Sequence, residues 1–263
     1  MGGRGSSSKR VGYRAPGQGQ PQPGNGDGTQ RITDPQQLLE FFKNADDEEA
    51  DEMLKQWRAE SLDPDNRQKD TDTQRFFNYI GWTSDTPEVL TEDQYQAAWQ
   101  QAGQPTQIYH ADEPYGGIGA RQFALQYMGR GFAFNGEQYR HFLSGGIHGD
   151  GTYFARTADE SASYGTSQFR GFLNSNAKVI NESQLDSMWY SYQQQYPTLA
   201  RVIGYMSTGY GGGWDGQKSV FAAMLGYNVI ESSRHNGYLT VLNRKATTVS
   251  EKTVKAHLGM KDW

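Results

Sequence analysis

The residues best suited to chemistry lie between positions 149 and 165, where two tyrosines flank a group of small hydroxyl side chains. Residues 149–155 read Gly-Asp-Gly-Thr-Tyr-Phe-Ala, which predicts a tight turn followed by a short strand. Tyr153 lies on this strand, and Ser161 and Tyr164 follow it closely. Aromatic faces stack on flat polar rings and hydroxyls bind ring substituents, so the segment is typical of a ligand slot. The alternative is that both are ordinary half-buried tyrosines of a chain that contains 16.

Other catalytic patterns are incomplete in the sequence. Residues 211–219 resemble a phosphate-binding loop, but Gln217 stands where that loop needs its lysine, and Lys218 comes one position late. The five histidines lack metal-ligand spacing, so we predict no metal site, and His148 is at least as well explained as a solvated loop residue. His110 ends a predicted strand, where a histidine is most often a partly buried polar residue. No Gly-x-Ser-x-Gly segment is present to hold a nucleophilic serine.

Composition sets the broad class. At 263 residues the chain can hold one large domain, or a domain with extensions, around a sizeable core. A net charge of −5 gives no general attraction to nucleic acid or to an anionic membrane. No apolar run approaches the ~18–20 residues of a membrane span, so we expect a soluble protein without a membrane partner. The chain has no cysteine, which excludes disulfides and thiolate metal sites.

The chain divides into four predicted regions. Residues 1–30 are rich in Gly, Gln, Pro and Ser with several basic side chains, which predicts a disordered basic tail. Residues 31–104 carry helical patterns and form a predicted helical subdomain. Residues 105–250 alternate short strands with glycine turns, hairpins and long connections, which favours an α+β fold. Residues 251–263 are predicted to be a C-terminal tail.

Local signals predict the individual elements. Asp34, before Pro35, predicts the start of a first helix, and the acids of residues 46–49 suit the first turn of a second helix. Thr91 is predicted to cap a further helix that contains Tyr95. Gly81 ends the helix that precedes it. In the second half we predict strands at residues 107–110, 152–155 and 177–180, and a hairpin of residues 227–231 and 238–242. We also predict helices at residues 120–128, 182–196 and 218–225.

Residues 149–164 are similar to the nicotinamide-pocket segment of the ADP-ribosyltransferase superfamily. Its poly(ADP-ribose)-polymerase-like branch carries a Gly-x-Gly-Ile-Tyr-Phe-Ala…Ser-x-x-Tyr run, and Ile108-Tyr109-His110 resembles that branch's first-strand histidine. Residues 226–244 resemble the closing hairpin of related bacterial and phage proteins. Those phage proteins often begin Met-Gly-Gly-Arg-Gly-Ser, as this chain does, and carry a segment like residues 73–82. The resemblance covers about residues 70–250.

The resemblance implies a split antiparallel β-sheet and a His-Tyr-Glu type of site that uses NAD as its substrate. His110 would bind the ribose of NAD, and Tyr153 and Tyr164 would enclose the nicotinamide. Ser161 and the backbone of Ala111 would bind the carboxamide, although a glycine is usual at position 111. Loss of nicotinamide through an oxocarbenium-like state would then depend on positioning and charge stabilisation.

The third family residue, a glutamate, has no direct counterpart. It stands at the start of the last hairpin strand, which here falls at Asn236–Gly237. Glu231, at the other end of the hairpin, is the nearest candidate, and Asp215 is a poorer one. Both are equally well explained as solvated turn acids.

The resemblance therefore implies an NAD-dependent mono-ADP-ribosyltransferase encoded by a phage or mobile element. Its acceptor would be an unknown protein or nucleic acid. The enzyme would be located in the cytoplasm of the bacterial host, or in the virion if a phage encodes it. Two alternatives stay open. One is a degenerate transferase fold that serves as a virion-associated or interaction protein, and the other is an NAD glycohydrolase whose acceptor is water.

Overall fold

The computed structural model describes residues 31–60, 70–112, 127–129, 148–165, 167–208, 213–233, 237–252 and 254–255. The chain from Ile32 onward forms one compact unit. Its mixture of helices and strands confirms the predicted α+β class. The predicted tail, residues 1–30, lies outside the described residues, as does most of the predicted helix at 120–128. Among the helices that are described, none is long and apolar enough to cross a membrane.

The described part of the predicted helical region contains the α-helices α1 (Pro35–Asn44), α2 (Asp47–Ala59), α3 (Asp72–Tyr79) and α4 (Glu92–Gln101). Each begins at a polar cap whose side chain accepts hydrogen bonds from the first turn, and the predicted caps Asp34 and Thr91 are confirmed. Asp46 and Glu49 form a reciprocal capping box at the start of α2. Gly81 has φ +81°, which lets the chain turn after α3.

The strands are β1 (Glu88–Leu90), β2 (Ile108–Asp112), β3 (Thr152–Phe154), β4 (Ser167–Leu173), β5 (Val179–Asn181), β6 (Val229–Glu231), β7 (Leu239–Val241), β8 (Thr247–Ser250) and β9 (Val254–Lys255). One sheet has the order β1-β8-β4-β2, with β9 beside β4, and the other has the order β3-β7-β6-β5. The predicted hairpin is confirmed as the antiparallel pair β6–β7.

Both sheets are mixed, so the prediction of antiparallel sheets is wrong for two pairs. Strands β1 and β8 run parallel, as do β5 and β6. Parallel neighbours need a long crossover connection. Between β5 and β6 that connection contains α6 (Glu182–Gln195), α7 (Pro197–Gly204) and α8 (Trp214–Met224), and for β1 the partner strand comes from the far end of the chain.

Elements on both sides of the predicted boundary at residue 104 pack against each other. Helices α1 and α3 pack against α8, whose residues from Gly216 to Met224 are all buried. Strand β1 adds the helical region to the first sheet, so residues 32–104 share a core with the rest of the compact unit. In the predicted C-terminal tail, β9 pairs with β4.

The two sheets are joined by a bridge between β2, which carries His110, and the residue that follows β3. Tyr109 of β2 and Ala155, just after β3, exchange two backbone hydrogen bonds of 2.9 and 2.8 Å. Among the described residues this bridge is isolated, so no further ladder of backbone hydrogen bonds extends between β2 and β3 on either side of it. The short helix α5 (Ala158–Ala162) follows the bridge and packs against β2 and β4.

Candidate functional site

His110 lies on β2 at the junction of the two sheets. Its Nδ1 lies 2.6 Å from the carbonyl oxygen of Tyr153, and its ring packs between Phe154 and Phe169 with centroid distances of 5.6 and 5.1 Å. Because a carbonyl oxygen only accepts, Nδ1 carries the proton, and in the tautomer that this bond selects Nε2 is the acceptor nitrogen. The strand pairing thus fixes both the orientation and the tautomer of His110.

Ala111 presents its main chain to the gap between the sheets. Backbone groups of alternate strand residues point to the same edge. The N–H and C=O of Tyr109 bond to Ala155 on the β3 side, so those of Ala111 face the same side, beyond the bridge. A donor and an acceptor are therefore placed side by side where β2 and β3 separate. The alanine at this position does not prevent that arrangement, because its side chain is directed away from the edge.

Ser161 is the buried hydroxyl of the site. It lies in α5, which packs against the strand that carries Ala111, and its side chain is only 2% exposed. Among the residues that the structure describes, none lies within hydrogen-bonding reach of its Oγ. A buried hydroxyl without a partner loses free energy relative to water, so such groups in native proteins call for an explanation.

The two tyrosines occupy different environments. The hydroxyl of Tyr153 donates to the carbonyl of Gly149 at 2.6 Å and accepts from the backbone N–H of His148 at 3.3 Å. Burial raises the pKa of Tyr153 well above its usual range, so the phenol is neutral. Tyr164 is 61% exposed and packs edge to face on Tyr238 at 6.0 Å. In the described part of the chain the rings of Tyr153 and Tyr164 do not touch each other.

Tyr238 was missed by sequence reasoning, since nothing in its neighbourhood distinguishes it from other tyrosines. Its ring lies almost perpendicular to the exposed Tyr164 ring, at an interplanar angle of 80°. Burial and a hydrogen bond to Tyr164 raise the pKa of Tyr238 to about 12, so the Tyr238 phenol is also uncharged at neutral pH.

Glu231 ends β6 and forms an ion pair with Arg156, whose Nε also donates to the carbonyl of Gly237 at 3.2 Å. By strand register, Glu231 shares a row with Leu239 and Phe154, so its side chain is on the sheet face opposite that of Tyr153. A methyl carbon added at Gly237 would lie 3.7 Å from Glu231 Oε1. The Glu231 carboxylate therefore reaches the place where a side chain at position 237 would begin.

Asp215 takes part in a buried cluster that the sequence did not reveal. Lys218 Nζ lies 2.6 Å from Glu182 and 2.8 Å from Asp215, and the Glu182 carboxylate also contacts His148 Nδ1 at 3.1 Å. His148 is 4% exposed, so its interpretation as a solvated loop residue is wrong. The only signal for it in the sequence is its position directly before the Gly149 turn.

The charges of this cluster are stabilised in place. Burial alone would raise the pKa of Glu182, but hydrogen bonds from His148 and Lys218 outweigh it and lower the pKa from 4.5 to about 2. Burial would lower the pKa of Lys218, but hydrogen bonds to Asp215 and Glu182 outweigh it and raise the pKa. Lys218 is therefore fixed by carboxylates, which agrees with the exclusion of a phosphate-binding loop.

No metal cluster of histidine, aspartate and glutamate occurs among the described residues. Comparison of the chain with family models, with curated proteins and with solved structures finds no match.

Proposed function

We propose that the chain binds NAD where β2 and β3 separate, and that it is a mono-ADP-ribosyltransferase. The observation that carries the proposal is the buried Ser161 hydroxyl without a described partner, in a helix packed on the strand that presents both main-chain groups of Ala111. A primary carboxamide offers one acceptor and two donors. The N–H and C=O of Ala111 with the hydroxyl of Ser161 form the complementary set, as the resemblance implies.

His110 and the tyrosines complete the proposed pocket. The Nε2 acceptor of His110 suits a ribose hydroxyl, because a hydroxyl donates to an unprotonated imidazole nitrogen. Tyr164 offers an exposed face for stacking of the nicotinamide ring. Tyr153 contributes mainly through its backbone and its fixed hydroxyl, which hold the strand against His110.

In the proposed reaction the bond between ribose C1′ and the nicotinamide nitrogen breaks, and its electron pair leaves with neutral nicotinamide. The oxocarbenium-like carbon is attacked by an acceptor nucleophile, which loses a proton. The carboxylate of Glu231 is the group nearest to the position of the family's glutamate, and it would stabilise the developing positive charge. Its ion pair with Arg156 would have to open or rearrange for that role.

The acceptor in this proposal is a protein or a nucleic acid of a bacterial host. The setting is the host cytoplasm, or the virion if a phage encodes the protein. No membrane partner is part of the proposal.

One observation favours a second candidate function, which is NAD binding without turnover. By resemblance the position of the family's glutamate falls at Asn236–Gly237, and the only carboxylate near Gly237 in the described part of the chain, that of Glu231, is paired with Arg156. A pocket of this kind would serve a binding or virion-associated interaction role rather than catalysis.

The test incubates the purified full chain with NAD labelled in its adenylate part, with and without a bacterial lysate, and follows free nicotinamide and labelled macromolecules. Release of nicotinamide together with a labelled band supports the transferase. Release without label supports a glycohydrolase instead. If titration calorimetry shows NAD binding but NAD stays intact, the binding role is supported, and absence of binding refutes both proposals.

Ser161→Ala gives the sharpest check of the pocket, with Ser163→Ala as its matched control. Ser161 has no described partner, so removal of its hydroxyl should leave the free energy of unfolding unchanged or slightly higher. It should nevertheless weaken NAD binding roughly three- to tenfold, the effect of one lost hydrogen bond. Ser163 is exposed and donates to the Glu160 carbonyl, so its substitution should not alter NAD binding. Equal NAD affinity in the wild type and both variants would refute the assignment of Ser161.

A further inference from the structure

A buried charged cluster connects two segments that the proposed site depends on. We define the Glu182 cluster as Glu182, Lys218, His148 and Ser232, which are 5%, 3%, 4% and 3% exposed. The Glu182 carboxylate is its centre. It accepts hydrogen bonds from Lys218 Nζ at 2.6 Å, from His148 Nδ1 at 3.1 Å and from Ser232 Oγ at 3.3 Å.

The cluster is not a nucleophilic triad, although it contains a serine, a histidine and a carboxylate. In a triad the base uses one ring nitrogen for the serine and the other for the carboxylate. Here Ser232 Oγ and Glu182 both approach Nδ1 of His148, at 3.3 and 3.1 Å. A proton cannot pass from the serine to the histidine while Nδ1–H donates to Glu182. The cluster therefore has a different role.

One side of the cluster leads to Tyr153. Glu182 holds the His148 side chain, and the backbone N–H of the same residue donates to the Tyr153 hydroxyl at 3.3 Å. That hydroxyl in turn donates to the carbonyl of Gly149 at 2.6 Å. The Tyr153 hydroxyl therefore bonds to the backbone on both sides of the turn that precedes β3. Through His148, Glu182 connects this turn to the start of α6.

The other side of the cluster leads to Glu231. The residues directly after it, Ser232 and Ser233, bond to Glu182 Oε2 through a hydroxyl and a backbone N–H, each at 3.3 Å. The end of β6 is therefore held by the same carboxylate that holds the turn before β3. These two segments are more than 75 residues apart in the sequence, since Arg156 and Glu231 are already separated by 75 positions.

We propose that Glu182 is a positioning residue for the proposed NAD site, because it fixes Tyr153 and Glu231 relative to each other. The inference rests on the proposed function. Every partner of the Glu182 carboxylate in the described residues is a donor, so the site needs an acceptor-only group. A glutamine would direct an NH2 group toward another donor and would break at least one of these bonds. Lys218 supplies the positive charge that keeps a buried carboxylate ionised.

Asp215→Asn is the matched control for Glu182→Gln. Both changes replace a carboxylate that contacts Lys218 with an amide of similar shape. Among the described residues, Asp215 has no contact with His148 or with Ser232. Its side chain is also 52% exposed, so its loss should disturb the fold less. A structural effect that comes only from the weakened Lys218 pairing would appear in both variants.

The first measurement is hydrogen–deuterium exchange of the free protein in peptides that cover residues 148–155 and 229–233. We expect faster exchange of both segments in Glu182→Gln and wild-type exchange in Asp215→Asn. Unchanged exchange in Glu182→Gln, or equal acceleration in both variants, would overturn the proposal. If Glu182→Gln does not fold, the double variant Glu182→Gln with Lys218→Met removes both buried charges and takes its place.

The second measurement is nicotinamide release from NAD per folded molecule. Because a small displacement of catalytic groups is costly, kcat should fall roughly 10- to 100-fold in Glu182→Gln, with KM for NAD changed less than about threefold. A KM effect with unchanged kcat would overturn the positioning role. If the wild-type protein releases no nicotinamide, the proposed function fails, and the exchange measurement still decides whether Glu182 fixes the two segments.

Discussion

Ionised Glu182 should make a large contribution to the free energy of unfolding, and this contribution should be lost in acid. Its pKa lies near 2 in the folded protein instead of 4.5. Since each pKa unit corresponds to about 1.4 kcal/mol, the ionised carboxylate contributes on the order of 3 kcal/mol to the free energy of unfolding. Little solvent reaches the side chain, which is 7% exposed, so bulk water does not screen this contribution.

The sign follows from proton binding. The folded-state pKa is depressed, so the unfolded chain takes up a proton at a higher pH than the folded protein does. The contribution of Glu182 is fully present above about pH 4.5 and is lost as the pH falls toward 2. Within that window its part of the stability falls by up to ~1.4 kcal/mol per pH unit.

Urea unfolding between pH 7 and pH 2.5, followed by tryptophan fluorescence, measures this effect. The stacked rings of Trp189 and Trp214, 4.7 Å apart, lie on α6 and α8 and report on the neighbourhood of the cluster. Glu182→Gln should be less stable than the wild type by about 3 kcal/mol at pH 7, and the difference should shrink steadily below pH 4.5. Asp215→Asn keeps Glu182 and its hydrogen-bond donors, so the contribution of Glu182 should still be lost between pH 4.5 and 2 in this variant. A wild-type advantage that stays constant down to pH 2.5 would refute the reasoning.

Two further changes test the packing of β3 and the role of the ion pair at β6. Gly151→Ala should lower the free energy of unfolding by roughly 1–3 kcal/mol in urea titrations, because its Cβ would lie 2.8 Å from the Val241 carbonyl oxygen. Gly204→Ala is the control, since a Cβ at that position would have no atom within 4 Å. Equal stabilities of the two variants would contradict the β3–β7 register. Arg156→Lys should reduce nicotinamide release roughly tenfold, because a lysine can still pair with Glu231 but loses the Nε hydrogen bond that holds Gly237 beside that carboxylate. Arg170→Lys is the control, because Arg170 forms a comparable ion pair with Glu92 outside the proposed site. We expect wild-type nicotinamide release in Arg170→Lys and reduced release in Arg156→Lys.

Local structure could be predicted from the sequence because its causes are local. The cap at Asp34, the capping of α4 by Thr91 and the stop at Gly81 each depend on residues within one helical turn. The hairpin β6–β7 was likewise predicted from two short apolar runs around a turn. The same holds for the segment that carries Tyr153 and Ser161, since its residues are close together in the chain.

The parallel pairs could not be predicted in that way. The parallel pairing of β1 with β8 and of β5 with β6 joins segments that are far apart in the chain, and strand patterns alone do not specify the partner or its direction. The helical region was predicted as a separate subdomain for the same reason. Its helices have the expected caps, but only the folded chain shows that α1 and α3 bury their apolar faces against α8.

The sequence by itself determined the residue types of the candidate site: a histidine on the first strand of the second half, a tyrosine after a glycine turn, and a serine in the small-residue segment that follows. Only the tertiary structure decided that the main chain of Ala111 faces the side of β2 on which β3 lies, and that Ser161 is buried in a helix packed on β2. It also decided that His148, a loop residue by pattern, lies buried against Glu182. The physical reason is that burial and charge pairing are properties of long-range contacts. A lysine in one helix and a glutamate in another stabilise each other only after the strands between them have brought both into the core.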